Sequence, residues 1–152
     1  MNTLELKVPP VAVFLIVILL MYFADAYLPS LPLPSALKWG AGVLFVMSGI
    51  VGLSGVYAFR QARTTVNPTK PERANRVVCS GIFRMSRNPM YLALLLLILA
   101  YAVWLQNGVT LLAAALFVLY MNRFQILPEE RALERIFGQD YLTYKQKVRR
   151  WI

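Results

Sequence analysis

Four long runs of apolar residues dominate this sequence and restrict the folds open to it. They cover about residues 9–28, 36–59, 89–106 and 109–127. A helix of about 20 residues spans about 30 Å, the thickness of the hydrocarbon layer of a bilayer. The sequence therefore predicts an all-α, polytopic membrane protein with about four transmembrane helices, folded as a single domain over residues 1–152.

The breaks between the runs define the connections. Residues 29–34 include three prolines, which cannot continue a helix because they lack the backbone donor. Asn107–Gly108 is typical of a tight turn, so the third and fourth runs should form an antiparallel hairpin. No small-x-small cleavage motif ends the first run, which is therefore predicted to be a retained span and not a signal peptide.

The charged residues are few but strongly unbalanced, with 16 basic against 7 acidic side chains and a net charge of +9. Seven basic residues lie in the loop 60–88 and seven follow residue 120, whereas the two turns on the other side hold only Lys38. Cytoplasmic loops of membrane proteins carry an excess of lysine and arginine. Both termini, the loop and the tail are therefore predicted to be cytoplasmic. Because the basic residues alternate with long apolar runs, the charge does not indicate nucleic-acid binding.

The tail, residues 128–152, has the pattern of an amphipathic helical region. Pro128 suits the first position of a helix, and Glu129 and Glu130 complement the positive end of its dipole. Apolar residues recur at helical spacing between 132 and 137, and Gly138 permits a break before a second amphipathic run. We expect this region to lie at the membrane interface without crossing it.

Several kinds of chemistry are excluded by composition. The chain has no histidine and one cysteine, Cys79, so it cannot form an intrachain disulfide, a histidine-based zinc site or a histidine-dependent triad. We expect no metal site, and Cys79 is interpreted as an ordinary loop residue. Neither a G-x-G-x-x-G motif nor a Walker loop is present, so any nucleotide-like cofactor would bind outside a Rossmann frame.

Three polar clusters should meet at one end of the last hairpin: residues 86–91, residues 122–125 and the pair Glu129–Glu130. Arg123 lies inside the fourth apolar run, where an arginine costs roughly 3 kcal/mol unless it is paired or faces a cavity. It either extends to the interface or lines a polar cavity. Glu129 is its expected ion-pair partner.

Two sequence blocks carry a resemblance to a known family. The first is S-G-I-F-R-M-S-R-N-P-M-Y at residues 80–91, and the second is P-E-E-x-x-L-x-x-x-F-G-x-x-Y-x-x-Y-x-x-x-V at residues 128–148. Together they cover about the last 75 residues, and they resemble the isoprenylcysteine carboxyl methyltransferases and the related membrane phospholipid methyltransferases. The segment 64–68 also resembles a loop of bacterial members, which favours a location in a bacterial inner membrane.

The resemblance implies that S-adenosylmethionine is the methyl donor and that it binds on the cytoplasmic side, between the last spans and the tail. The cofactor-binding residues that it implies are Gly81, Arg87, Asn88, Pro89, Tyr91, Glu130, Tyr141 and Tyr144. The catalytic residues that it implies are Arg123 and Glu129. The eukaryotic carboxyl methyltransferases usually have histidine where Asn88 stands, and asparagine can form hydrogen bonds but cannot titrate.

The sequence leaves the methyl acceptor open among carboxylates, amines and thiols, while the resemblance favours a lipophilic or lipid molecule. Arg123 would hold a carboxylate, which is already ionised at pH 7. An amine would have to lose a proton, and Glu129 would then be the base. A four-span transporter and a non-catalytic scaffold are the alternatives, although a proton-coupled transporter needs an ionisable group near the middle of the membrane, which these runs lack. The oligomeric state is also open.

Overall fold

The computed structural model describes residues 5–62 and 76–152, and the regular elements within them are helical. The helices are α1 (Pro10–Tyr27), α2 (Lys38–Gln61), α3 (Pro89–Leu105), α4 (Leu111–Tyr120), α5 (Leu127–Phe137) and α6 (Gln139–Lys147). Short 3₁₀ turns at Ser35–Leu37, Gly81–Arg84 and Gly108–Thr110 precede α2, α3 and α4. The predicted all-α fold is confirmed, and the segment 64–68 lies outside the described residues.

The lengths of these helices fit a membrane protein. Three helical stretches, Pro10–Tyr27, Ser35–Gln61 and Gly108–Phe137, are long and apolar enough to cross a bilayer. Helix α3 is a shorter apolar helix of 17 residues, at the lower end of the range for a span. Large apolar side chains of α2 such as Trp39 and Leu53 are more than 70% exposed, as expected where a helix faces lipid.

Close packing between α2 and α3 depends on small residues. A Cβ added at Gly52 would lie 3.3 Å from Cβ of Ala93, and one at Gly55 would lie 3.3 Å from Met90. The hydroxyl of Ser48 donates to the carbonyl of Ala93 at 2.8 Å, which satisfies a polar group between the helices. Gly52, Gly55 and Ser48 therefore allow α2 and α3 to pack closely, as small residues do between membrane helices.

The sequence pattern predicted that a new helix begins at Pro128. The structure differs, because α5 continues directly from the residues before it. A π-helical turn, Met121–Ile126, joins α4 to α5 without interruption. In an α-helix the N–H of residue 128 would donate to the carbonyl of Phe124, and proline has none. That carbonyl accepts the N–H of Leu6 instead, at 3.1 Å. The predicted break after α5 is present at Gly138, whose φ of +51° suits glycine.

The two ends of the helical bundle differ in their polar contacts. At one end, Asn107 accepts the N–H of Leu31 at 3.1 Å and donates to Asp25 at 2.9 Å, which fixes the turn after α1 against the turn before α4. At the other end, residues 5–9, the first turn of α3, α5 and α6 come together. The predicted polar clusters all lie at this second end.

Candidate functional site

A cavity of about 400 Å³ opens at the second end of the bundle. It is bounded by the start of α1, the end of α2, residues 76–78, the first turn of α3, and helices α5 and α6. Its walls are mostly apolar and aromatic, and its volume lies within the range of about 300–1,000 Å³ typical of small-molecule sites.

Eight of the ten predicted site residues line this cavity. They are Arg87, Asn88, Pro89, Tyr91, Glu129, Glu130, Tyr141 and Tyr144. Gly81 lies instead in a 3₁₀ turn beside a second, more open groove, and its φ of +57° explains the glycine. Arg123 is also absent from the cavity wall.

Arg123 does not form the expected ion pair with Glu129. Its guanidinium lies 2.9 Å from Glu5, and its side chain is 46% exposed. Glu129 bonds instead to Tyr91, because the π-helical turn and α5 direct the carboxylate towards the first turn of α3. The two residues predicted to act together in catalysis are thus separated by the fold.

Glu129 belongs to a buried hydrogen-bonded group. The hydroxyl of Tyr91 donates to Oε2 of Glu129 at 2.8 Å, and Nε2 of Gln125 donates to the same hydroxyl at 3.3 Å. Gln125 is only 2% exposed and lies in the π-helical turn. These contacts hold a carboxylate at the wall of an otherwise apolar cavity.

Glu130 is the centre of a second, denser network. Its carboxylate accepts hydrogen bonds from NH2 of Arg87 at 2.7 Å and from NH2 of Arg150 at 2.8 Å. Nζ of Lys145 lies 3.5 Å away. The side chains of Arg87 and Glu130 are 8% and 4% exposed. A buried charge is tolerated only when it is paired and hydrogen-bonded, and this group meets both conditions.

The residues before α3 bind the backbone of the C-terminal tail. Arg87 NH1 donates to the carbonyls of Lys145 and Val148 at 2.9 and 2.6 Å. The backbone N–H of Arg87 donates to Arg149, and the amide of Asn88 donates to Arg150 at 2.9 Å. The block predicted to bind the cofactor therefore also makes the tail a part of the cavity. Within the described residues, Nε of Arg87 is buried without a hydrogen-bond partner.

Two tyrosines of α6 complete the cavity. Burial raises the pKa of both Tyr141 and Tyr144 well above the usual value, so both phenols stay protonated and neutral. Tyr144 donates to the carbonyl of Phe83 at 2.7 Å, which ties α6 to the 3₁₀ turn before α3. Phe59 packs edge-on against Phe83 with ring centroids 5.1 Å apart, which supplies further aromatic surface.

Sequence reasoning assigned no role to several residues of this site. Gln125 belongs to the polar cluster 122–125 that the sequence predicts at this end of the hairpin, but no role of its own follows from the sequence. Glu5 is the only acidic residue before the first span, and an arginine within an apolar run needs such a partner. Pro9 and Pro10, which line the cavity, could be interpreted only as the start of a helix.

Comparison with known proteins identifies relatives of this chain. An uncharacterized protein of Haemophilus influenzae is 52% identical over 63 residues, which are 41% of this chain and all of that protein. Protein-S-isoprenylcysteine O-methyltransferase B of Arabidopsis thaliana is 24% identical over 105 residues, 69% of this chain. The chain spans 53% of the length of the plant enzyme. No solved structure matches the chain significantly.

A family description covers the greater part of the chain. The model of the phospholipid methyltransferase family matches residues 37–140. This range includes α2, the first turn of α3 and the whole of α5, so most of the cavity wall lies within it. The protein, an integral membrane protein, belongs to the phospholipid methyltransferase family.

Proposed function

We propose that this protein transfers a methyl group from S-adenosylmethionine to a lipophilic acceptor, in the cavity at the cytoplasmic face of the membrane. One observation carries the proposal: the two blocks of the family resemblance, residues 80–91 and 128–148, both contribute residues to the wall of the same cavity. Methyl transfer needs alignment of donor and acceptor and exclusion of water, and a mostly apolar cavity suits both needs.

The residues present fit a sulfonium cofactor. Aromatic rings of Tyr141 and Tyr144 offer faces for an adenine or a cation, and the carboxylate of Glu129 offers a countercharge. Nε of Arg87 is a buried donor without a partner in the described part of the chain, and an acceptor atom of a ligand would satisfy it. When bound, the cofactor supplies the activated methyl group, and the protein supplies position and a dry environment.

A carboxylate is one of the acceptors that the sequence leaves open, with Arg123 to hold it. The cavity offers this acceptor less than the sequence predicted, because Arg123 pairs with Glu5 outside the wall and Arg87 is paired with Glu130. Among the described residues, Arg76 and the unpartnered Nε of Arg87 are the cationic groups left at the wall. A second carboxylate beside Glu129 would also be repelled.

An amine acceptor is the second candidate, and the position of Glu129 favours it. The carboxylate would attract an ammonium group into the apolar cavity. It would then accept the proton that must leave before the nitrogen lone pair can attack the methyl carbon. The proton would end on Glu129, the new bond would join nitrogen to the methyl carbon, and the bond from that carbon to the donor sulfur would break, leaving S-adenosylhomocysteine as the second product.

The cofactor proposal is tested by calorimetry on detergent-purified protein with S-adenosylhomocysteine, the demethylated product. We expect saturable binding that Tyr141→Ala weakens and Glu134→Gln leaves unchanged, since Glu134 lies on α5 but not at the cavity. The proposal would be overturned if the wild-type protein does not bind at about millimolar ligand. A Kd in that range corresponds to a binding free energy of only about −4 kcal/mol.

The acceptor is tested by supplying the protein, in vesicles of bacterial lipid, with donor carrying a tritiated methyl group. Labelled lipid is then treated with alkali, which releases methanol from methyl esters and leaves N-methyl groups in place. Label that stays with the lipid headgroup supports an amine acceptor, and volatile label supports a carboxylate.

The orientation can be tested with the native cysteine. Cys79 is exposed. It lies between residues 76–78, which line the cavity, and the 3₁₀ turn that precedes α3. We expect a membrane-impermeant maleimide to label it in inside-out vesicles and not in right-side-out vesicles. Labelling only in right-side-out vesicles would reverse the proposed topology, and Cys79→Ser controls for background reaction.

A further inference from the structure

The N-terminal segment, residues 5–9, is attached to the last hairpin by a shared carboxylate. Oε1 of Glu5 lies 2.9 Å from NH1 of Arg123, and Oε2 lies 2.8 Å from NH2 of Arg131. The Glu5 side chain is 6% exposed, while those of Arg123 and Arg131 are 46% and 51% exposed. The acidic residue is therefore the buried member of the group, and it depends on both arginines for compensation.

A backbone hydrogen bond attaches the same segment independently. The N–H of Leu6 donates to the carbonyl of Phe124 at 3.1 Å, the acceptor left open because Pro128 has no N–H. Leu6 has a φ of +59°, a conformation uncommon for residues other than glycine. Contacts on both sides of it are needed to hold such a turn.

The attached segment leads directly into the cavity wall. Pro9, Pro10 and Val11 line the cavity together with Ile126 and Glu129. Only three residues separate Glu5 from Pro9, and the ring of each proline fixes its own φ. A displacement at Glu5 would therefore act within a few residues of the cavity wall.

We propose that Arg123 is a positioning residue that acts through Glu5, holding the N-terminal segment in place as a wall of the ligand cavity. This role differs from the catalytic role that the sequence resemblance implied for Arg123. The inference relies on the proposed function only for the identity of the ligand. The contacts that carry it are those of the protein itself.

The test compares Glu5→Gln, Arg123→Gln and the double variant in calorimetry with S-adenosylhomocysteine and in steady-state kinetics. We expect each single variant to raise the Kd by about tenfold, which corresponds to about 1.4 kcal/mol of binding free energy. The double variant should have a Kd no higher than that of the weaker-binding single variant, because both changes break the same contact. KM should rise while kcat changes little, since a wall acts on binding.

Matched controls separate position from charge. Arg123→Lys keeps a cation that can reach Glu5, and it should restore most of the affinity. Arg135→Gln removes one positive charge from the same face of the bundle, and its guanidinium contacts a backbone carbonyl, so it should behave as wild type.

Two kinetic results would overturn the proposal. If Arg123→Gln lowers kcat while Glu5→Gln matches wild type, then Arg123 contacts the reacting groups directly. If both variants match wild type, the ion pair contributes as little as a typical surface pair.

A measurement without ligand keeps this inference distinct from the proposed function. Hydrogen exchange followed by mass spectrometry should show lost protection at Leu6 in both single variants and retained protection in Arg135→Gln. Unchanged protection at Leu6 would contradict the proposal even if the cofactor binds. If the wild-type protein does not bind S-adenosylhomocysteine but hydrogen exchange changes as expected, the proposed function would be wrong, while the positioning role of Arg123 and Glu5 would still hold.

Discussion

The hydroxyl of Tyr91 donates a hydrogen bond to Oε2 of Glu129 at 2.8 Å, which joins the first turn of α3 to the first turn of α5. Gln125 donates to the same hydroxyl at 3.3 Å. A phenol has one proton to donate, so an incoming donor directs that proton towards the carboxylate. The three side chains form an ordered chain of hydrogen bonds that ends at the cavity.

Glu129→Gln tests the chemical role of the carboxylate. The amide keeps the shape but cannot accept a proton, so methylation of an amine acceptor should fall by about 100-fold or more. Initial rates with labelled donor give the effect, with Glu134→Gln as the control on the same helix. A wild-type rate in Glu129→Gln would remove Glu129 from the mechanism.

Gln125 offers a graded test of the hydrogen-bond order. Gln125→Leu removes a donor and leaves Tyr91 free to donate to Glu129, so it should cost about 1 kcal/mol of stability. Gln125→Glu adds a second carboxylate beside Glu129 and should lower both the melting temperature and the rate further. Thermal unfolding in detergent and initial rates measure the two effects. Equal behaviour of the two variants would contradict the assigned order.

The Arg87–Glu130 pair should be essential for the folded cavity. Glu130→Gln removes the charge that pairs with Arg87 and Arg150, and breaking a buried pair typically costs about 3–5 kcal/mol. The matched change is Glu134→Gln, whose partly exposed pair with Lys145 should be worth less than about 1 kcal/mol. Denaturation followed by tryptophan fluorescence compares them, and similar losses would show that the Glu130 network is not special.

The fold was largely readable from the sequence because the lengths of apolar runs and the turn residues between them are local signals. The continuation of the helix through Pro128 could not be predicted from the sequence. It involves a hydrogen bond to the Phe124 carbonyl from Leu6, which lies more than a hundred positions away. Local patterns cannot report such a distant donor.

The site was readable in part for a similar reason. The motif residues Arg87, Tyr91 and Glu130 line one cavity because they lie at the ends of adjacent helices, and their role in binding the cofactor stays a prediction. The predicted ion-pair partner of Arg123 was wrong. Spacing along the chain favoured Glu129, but the π-helical turn changes the relative orientation of the two residues, and Arg123 pairs with Glu5. Residue spacing converts to distance only while the helix keeps its ordinary period.

Acidification should weaken the attachment of the N-terminal segment. The hydrogen bond from Arg123, reinforced by Arg131, lowers the pKa of Glu5 below its ordinary value of 4.5, although partial burial opposes the shift. A carboxyl with a lowered folded-state pKa contributes stability above its unfolded pKa, and that contribution is lost as the pH falls through the folded value.

The prediction concerns the difference in melting temperature between wild type and Glu5→Gln. This difference should be largest near pH 7 and should shrink towards zero as the pH falls below about 4.3, the unfolded value of a glutamate. Other carboxylates titrate equally in both proteins, so the difference isolates Glu5. A difference that stays constant across this range would mean that Glu5 stabilises the chain by its shape and not by its charge.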